Sequence, residues 1–162
     1  GVKNIARRSS RMTEIKEAVR LIENMYATER VITAMGKEPK RYGTEELFYT
    51  NEVHTLKMIA QYEGITQKEL TEKMFRTKGA TSVMIKKLEK KGLIIRREDE
   101  EDARILQLYL TEKGKAVNDF HMKYDENRIS IWMEKLNFSE EELKNTNRIL
   151  ETFIDFVRKN VL

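Results

Sequence analysis

The sequence predicts a mainly α-helical fold with one small β-hairpin. Three observations carry that prediction. Apolar residues recur at three- and four-residue spacings over most of the chain, the glycines and the single proline fall largely between those stretches, and one short segment after residue 104 alternates as a strand does. With 162 residues, 40% of them hydrophobic and 36% charged, the chain is long enough to bury a core and carries densely charged exposed faces.

Residues 12 to 35 place Ile15, Ala18, Val19, Ile22, Met25 and Tyr26 on one stripe, the first helix. The segment before it, with Lys3, Arg7, Arg8 and Arg11, reads as a poorly ordered basic tail. Gly36 to Gly43 contains the only proline and four charged side chains, and is a loop. Thr50 is the expected N-cap of a second helix through Tyr62, with Val53, Leu56, Ile59 and Ala60 inward and Gly64 as its stop. Thr66 caps a short third helix, Gln67 to about Arg76, buried through Leu70 and Met74; Thr77 to Gly79 is a turn. A fourth helix, Gly79 to Lys91, puts Thr81, Met84, Ile85 and Leu88 on one face, and Gly92 ends it.

Leu93 to Arg97, a charged turn at Glu98 to Arg104, and Ile105 to Leu110 form the hairpin, with Ile105, Gln107 and Tyr109 opposite Leu106, Leu108 and Leu110. Thr111 caps a long fifth helix to about Leu136, whose apolar members are Val117, Phe120, Tyr124, Ile131 and Trp132. Ser139 and Glu142 make a capping box that opens a sixth helix striped by Leu143, Leu150, Ile154, Val157 and Val161.

Composition excludes several functions. Cysteine is absent, which removes disulfides, thiolate metal sites, cysteine nucleophiles and thiol redox sensing. No run of eighteen apolar residues and no signal-like leader occur, so no membrane partner and a cytoplasmic location are expected. Two histidines, no phosphate loop and no glycine-rich dinucleotide fingerprint leave an enzyme little to work with. The net charge of +4 is uneven: residues 64 to 97 hold ten basic against three acidic side chains, a local +7 that leaves −3 for the remainder. Basic charge concentrated in one stretch is expected where that stretch faces a polyanion.

Two short helices joined by a tight turn, then a hairpin with a charged tip, make a winged helix-turn-helix over 50–111. The second short helix is the reader. Its outward side chains, Lys78, Gly79, Ser82, Val83, Lys86 and Lys90, with Thr77 at the preceding turn, are small or flexible enough to enter a major groove of double-stranded DNA. The lysines and Ser82 suit bases or phosphates, and Val83 suits a thymine methyl. Taken alone, Lys86, Lys87, Lys90 and Lys91 read as a solvated helix face, where most lysine runs belong. The hairpin shifts the balance, because its tip combines acidic residues with Arg104, and an arginine held by a nearby carboxylate is pre-ordered for a narrow minor groove.

Five stretches resemble the MarR family of bacterial regulators: Thr66-Gln67-Lys68-Glu69-Leu70; Ile85 through Ile94, reading Ile-Lys-Lys-Leu-Glu-Lys-Lys-Gly-Leu-Ile; Arg96; Asp102-Ala103-Arg104; and Leu110-Thr111-Glu112-Lys113-Gly114. The resemblance implies a single domain over 1–162, with 12–35 and 112–162 as dimerisation helices of a homodimer. It implies that Arg104 enters the minor groove, that Asp102 orients it, and that the helix with Ser82, Val83 and Lys86 reads bases. Val83 departs from the arginine or other polar reader that many members carry there. Two-fold symmetry would match a pseudo-palindromic operator with half-sites about 10 base pairs apart.

The expected function is a sequence-specific transcriptional regulator, a repressor released by a small ligand or a metal. Zinc is the candidate metal. His54 lies on the second helix, and His121 and Asp125 share a face of the fifth at i and i+4; a carboxylate such as Glu23 or Glu29 would complete a nitrogen and oxygen set. Zinc-responsive members are similar here, but carry a second histidine where this chain has Asp125. The other reading of these residues is a His54 packed at the hinge between reader and dimer helices and an ordinary exposed His121/Asp125 pair. A small apolar or aromatic effector between the dimerisation and reading parts, as in many members, is the other effector, and a winged-helix protein-interaction module is the rival function.

Overall fold

The computed structural model describes residues 1–162 and is built mainly of helices. In chain order these are α1 (Val2–Met35), β1 (Lys40–Arg41), β2 (Leu47–Phe48), α2 (Thr50–Gln61), β3 (Ile65–Thr66), α3 (Gln67–Lys73), α4 (Lys78–Lys90), β4 (Ile94–Glu98), β5 (Leu106–Leu110), α5 (Glu112–Leu136) and α6 (Glu140–Asn160). The chain divides into two compact units, Gly1–Phe120 and His121–Leu162.

The core of the first unit is the winged helix-turn-helix. Val53, Leu56 and Ile59 of α2, Leu70 of α3, Met84, Ile85 and Leu88 of α4, Ile94 of β4, Leu108 and Leu110 of β5, and Val117 of α5 are buried together. The hairpin register pairs Ile94 with Leu110 and Arg96 with Leu108. Residues two apart on one strand share a face, which is why Leu108 and Leu110 both point into the core. Ile65 pairs with Leu108 on the other edge of β5, so the sheet has three strands in the order β3-β5-β4.

Several boundaries differ from expectation, each for a local reason. The basic leader is the first two turns and more of α1: nothing between Val2 and Met35 is a glycine or proline, and its lysine, arginines and alanine favour helix. Thr50 is the first residue of α2 and Tyr49 is the cap, the Glu52 carboxylate accepting from the Tyr49 N–H at 2.7 Å. The expected Gly36 to Gly43 loop contains β1, which pairs with β2. Helix α3 stops at Lys73 because Phe75 takes a left-handed conformation, φ 49°, and Arg76 N–H turns back to Thr71 O at 3.1 Å. Helix α4 starts one residue earlier than expected, Thr77 accepting from Ala80 N–H at 3.1 Å.

In the second unit, α6 opens on Ser139, whose hydroxyl accepts from Glu142 N–H at 3.1 Å while Glu142 accepts from Ser139 N–H at 2.8 Å. None of its 21 residues is buried, although Leu143, Phe153, Ile154 and Phe156 lie along it. The 34 residues of α1 in the first unit include no buried one either.

Candidate nucleic-acid interface

Helix α3 is set by a capping box: Thr66 Oγ1 accepts from Glu69 N–H at 3.2 Å and Glu69 accepts from Thr66 N–H at 2.9 Å. After it, Arg76 reaches back to α2 and donates to Thr55 Oγ1 at 3.0 Å; burial pulls its guanidinium below the usual arginine range. The turn between the two short helices is thus fastened to the helix beneath it.

On α4, Thr81, Met84, Ile85 and Leu88 face the core. The opposite face presents Lys78, Gly79, Val83, Lys86 and Lys90 to solvent, with Ser82 half-buried at its edge and Thr77 exposed at its start. Val83 is the most projecting apolar group of this helix, at 68% exposure. Between α3, the first turn of α4 and the hairpin lies an open groove of about 860 Å³, with Lys68, Lys78 and Arg104 among its walls.

The lysines of α4 and its C-cap, Lys91, are not equivalent. Glu52 of α2 is fully buried, at 0% exposure, and Lys91 donates to it at 2.7 Å while Lys87 stands at 3.5 Å. Lys91 also donates to Leu47 O at 3.1 Å. Lys87 and Lys91 therefore serve the interior as much as the surface. Sequence reasoning missed Glu52, yet its signal was present: positions 52, 55, 56 and 59 form one stripe, and an acid on a buried stripe needs a cation.

The hairpin tip is organised by its carboxylates. Asp99 Oδ1 accepts from the N–H groups of Glu101 and Asp102 at 2.9 and 3.0 Å. Arg104 Nε and a terminal nitrogen donate to the two oxygens of Asp102, each at 2.9 Å. That fork holds the Asp102 carboxyl below the usual range and raises Arg104, while the Arg104 side chain remains 91% exposed. The hairpin thus displays a pre-oriented guanidinium rather than a mobile one.

A family model described as MarR family matches residues 48–106. The transcriptional regulator SarZ of Staphylococcus epidermidis is 36% identical over 121 residues, 75% of this chain and 74% of the relative. The chain belongs to the MarR family. It is a DNA-binding transcriptional regulator with the winged-helix fold of that family. SarZ of Staphylococcus aureus is 35% identical over 115 residues, 71% of this chain and 72% of the relative. Among solved structures, Streptococcus pneumoniae FabT in complex with DNA superposes with a TM-score of 0.67 at 23% identity, over 86% of this chain and 96% of that one. A Staphylococcus aureus MepR–DNA complex gives 0.56 at 27% identity, over 68% and 78%.

In this MarR-family chain the effector candidates are placed as follows. His54 is on α2 in the first unit, exposed and lining a cavity of about 430 Å³ with Ile32, Tyr49, Thr50 and Lys87. His121 and Asp125 are in the second unit. His121 is buried, its Nε2 lies 3.4 Å from Asp125 Oδ2, and Arg128 donates to the other Asp125 oxygen at 3.1 Å. No helix is long and apolar enough to cross a membrane.

Proposed function

We propose that this chain acts as a homodimeric, sequence-specific repressor, α4 reading a major groove and Arg104 entering the adjacent minor groove. The observation that carries the reading is the pairing of an exposed, small-residue, lysine-edged face on α4 with a guanidinium pre-oriented by Asp102 at the hairpin tip. Thr77, Lys78, Gly79, Ser82, Val83, Lys86 and Lys90 are the major-groove set, and Asp102 acts through Arg104. The chain works in the cytoplasm and has no catalytic role.

The homodimer rests on α1 and α6, two long helices with apolar residues and no buried ones within the chain. Two readers related by two-fold symmetry require a pseudo-palindromic operator with half-sites about 10 base pairs apart.

Release follows when an effector prefers a dimer whose readers no longer match the groove spacing. A divalent cation is one candidate, since His121 and Asp125 offer a nitrogen and an oxygen donor of the kinds zinc accepts. A small apolar or aromatic ligand is the other.

The test is a gel-shift titration of an operator selected from random duplexes. Arg104→Ala should weaken operator binding about tenfold or more while the melting temperature and dimer mass are unchanged. Wild-type protein that fails to discriminate any duplex from random competitor would instead favour a protein-interaction module.

A further inference from the structure

We infer that Glu89 and Arg96 are positioning residues that set the angle of the wing on the reader helix, and so place Arg104 in the groove. The inference rests on the proposed groove contacts of α4 and Arg104.

Glu89 is badly placed by two ordinary criteria. It stands in the last turn of α4, where the helix dipole disfavours an acid, and on a helix offered to a polyanion. Its surroundings supply the reason. Arg96 Nε donates to Glu89 Oε1 at 2.6 Å and a terminal nitrogen donates to Oε2 at 2.9 Å. Both side chains are about one-third exposed, 30% and 32% for Arg96 and Glu89, so the pair is partly shielded from solvent. Two parallel bonds fix the plane of the guanidinium as well as its distance, which a single lysine contact does not.

Arg96 is also in the ladder opposite Leu108, so the fork holds the hairpin through the pairing of β4 with β5. Strand β4 runs on through Arg97 and Glu98 to the tip. At about 3.3 Å per residue the tip stands about 10 Å beyond the fork, so a pivot of about 12° there would carry Arg104 about 2 Å sideways. A minor groove about 6 Å wide does not absorb that displacement without losing contacts. The other charged groups nearby do not serve: Lys87 and Lys91 turn to Glu52 of α2, and the Arg97 guanidinium lies 5.0 Å over the Tyr109 ring.

The decisive variant is Glu89→Gln in the full chain, because charge alone and positioning predict opposite signs. Removing a negative charge from a DNA-facing helix should tighten binding to every duplex. Loss of positioning should weaken operator binding about fivefold to tenfold while binding to random competitor stays level or tightens. The variant should also lose the preference for an A·T-rich over a G·C-rich flank beneath the wing. The weakening should vanish in an Arg104→Ala background and be restored by the exchange Glu89→Arg with Arg96→Glu. Arg96→Lys, which keeps the charge and loses the two-pronged geometry, should behave as Glu89→Gln does, with melting temperature monitored for both.

Operator binding by Glu89→Gln that equals or exceeds wild type overturns the inference, as does a loss that adds to that of Arg104→Ala. If Arg104→Ala by itself leaves operator binding intact, the wing reading underneath fails, and the inference fails with it.

Discussion

Gly114→Ala is the substitution whose consequence the structure defines most sharply. A Cβ on Gly114 would lie 2.0 Å from Leu93 O and 3.0 Å from Leu93 C, both backbone atoms. A carbon and a carbonyl oxygen in contact stand about 3.3 Å apart, so about 1.3 Å must be opened between α5 and the start of β4. Three hydrogen bonds cross that seam: Thr111 N–H to Leu93 O at 3.0 Å, Thr111 Oγ1 to Gly92 O at 2.6 Å, and Lys113 Nζ to Lys91 O at 2.8 Å. Overpacking costs about 1–3 kcal/mol, and losing one or two of the bonds about 1 kcal/mol each. Against this, alanine is the better helix former by about 1 kcal/mol. The net is a destabilisation of about 1–4 kcal/mol, or about 3–12 °C in melting temperature for a chain of this size. Thermal unfolding at one fixed protein concentration measures it, since the midpoint of any self-associating protein varies with concentration. Helix propensity alone predicts the opposite sign, so an unchanged or raised melting temperature would refute the close-approach argument.

Lys91→Met should cost about 3 kcal/mol by leaving Glu52 buried with only the more distant Lys87, whereas Lys86→Met should change stability by less than about 0.5 kcal/mol; denaturant titration separates them. Lys86→Met should instead lower the salt dependence of DNA binding by about one unit of slope per protomer, read from affinities across a salt series. Because Arg104 holds Asp102 below the usual carboxyl range, their fork is intact above that range and is lost only as pH falls through the lowered value. The ratio of wild-type to Asp102→Asn operator affinity should accordingly be flat from about pH 5 to 8, and a ratio that titrates there would count against the fork. A zinc effector predicts stoichiometric metal in gently purified protein, lost in His121→Ala; metal-free wild type would leave the small-ligand effector.

What was legible in the sequence was local. Ser139 with Glu142 is read correctly because a capping box needs only four consecutive residues, and Thr66 is read correctly as a cap, while its reciprocal partner Glu69 is supplied by the structure. Gly92 is read correctly because it occupies the left-handed position that ends α4, φ 71°. The end of α3 was missed because a phenylalanine, not a glycine, takes the equivalent position there, and nothing in its type announces φ 49°. Strand β3 has two residues, too few to alternate. The lysines of α4 were counted alike because their difference lies elsewhere, in a carboxylate on α2 far off in sequence. Glu89 and Arg96 are each legible as a charge and as part of a family-like stretch, but the contact between them, from the last turn of a helix to a strand, is a tertiary fact.

The distribution of these ties along α4 has a consequence for regulation. The first half of the helix, Thr77 to Val83, presents small side chains and is joined to its surroundings mainly through Thr81 and its own cap. The second half and the residues just past it are fastened three ways: Lys87 and the C-cap Lys91 to Glu52 on α2, Glu89 to Arg96 on β4, and the Lys91, Gly92 and Leu93 carbonyls to the start of α5. Of the groups proposed to read DNA, Thr77, Lys78, Gly79, Ser82 and Val83 thus sit on the less fastened half, while Lys86 and Lys90 sit on the half tied to α2, β4 and the start of α5. A tilt of the first turn of α5 would be imposed on α4 through three carbonyl contacts and on the wing through the Glu89 fork. Reader and wing would then move together rather than independently, and an effector that alters the direction of α5 need touch neither to lower affinity for the operator.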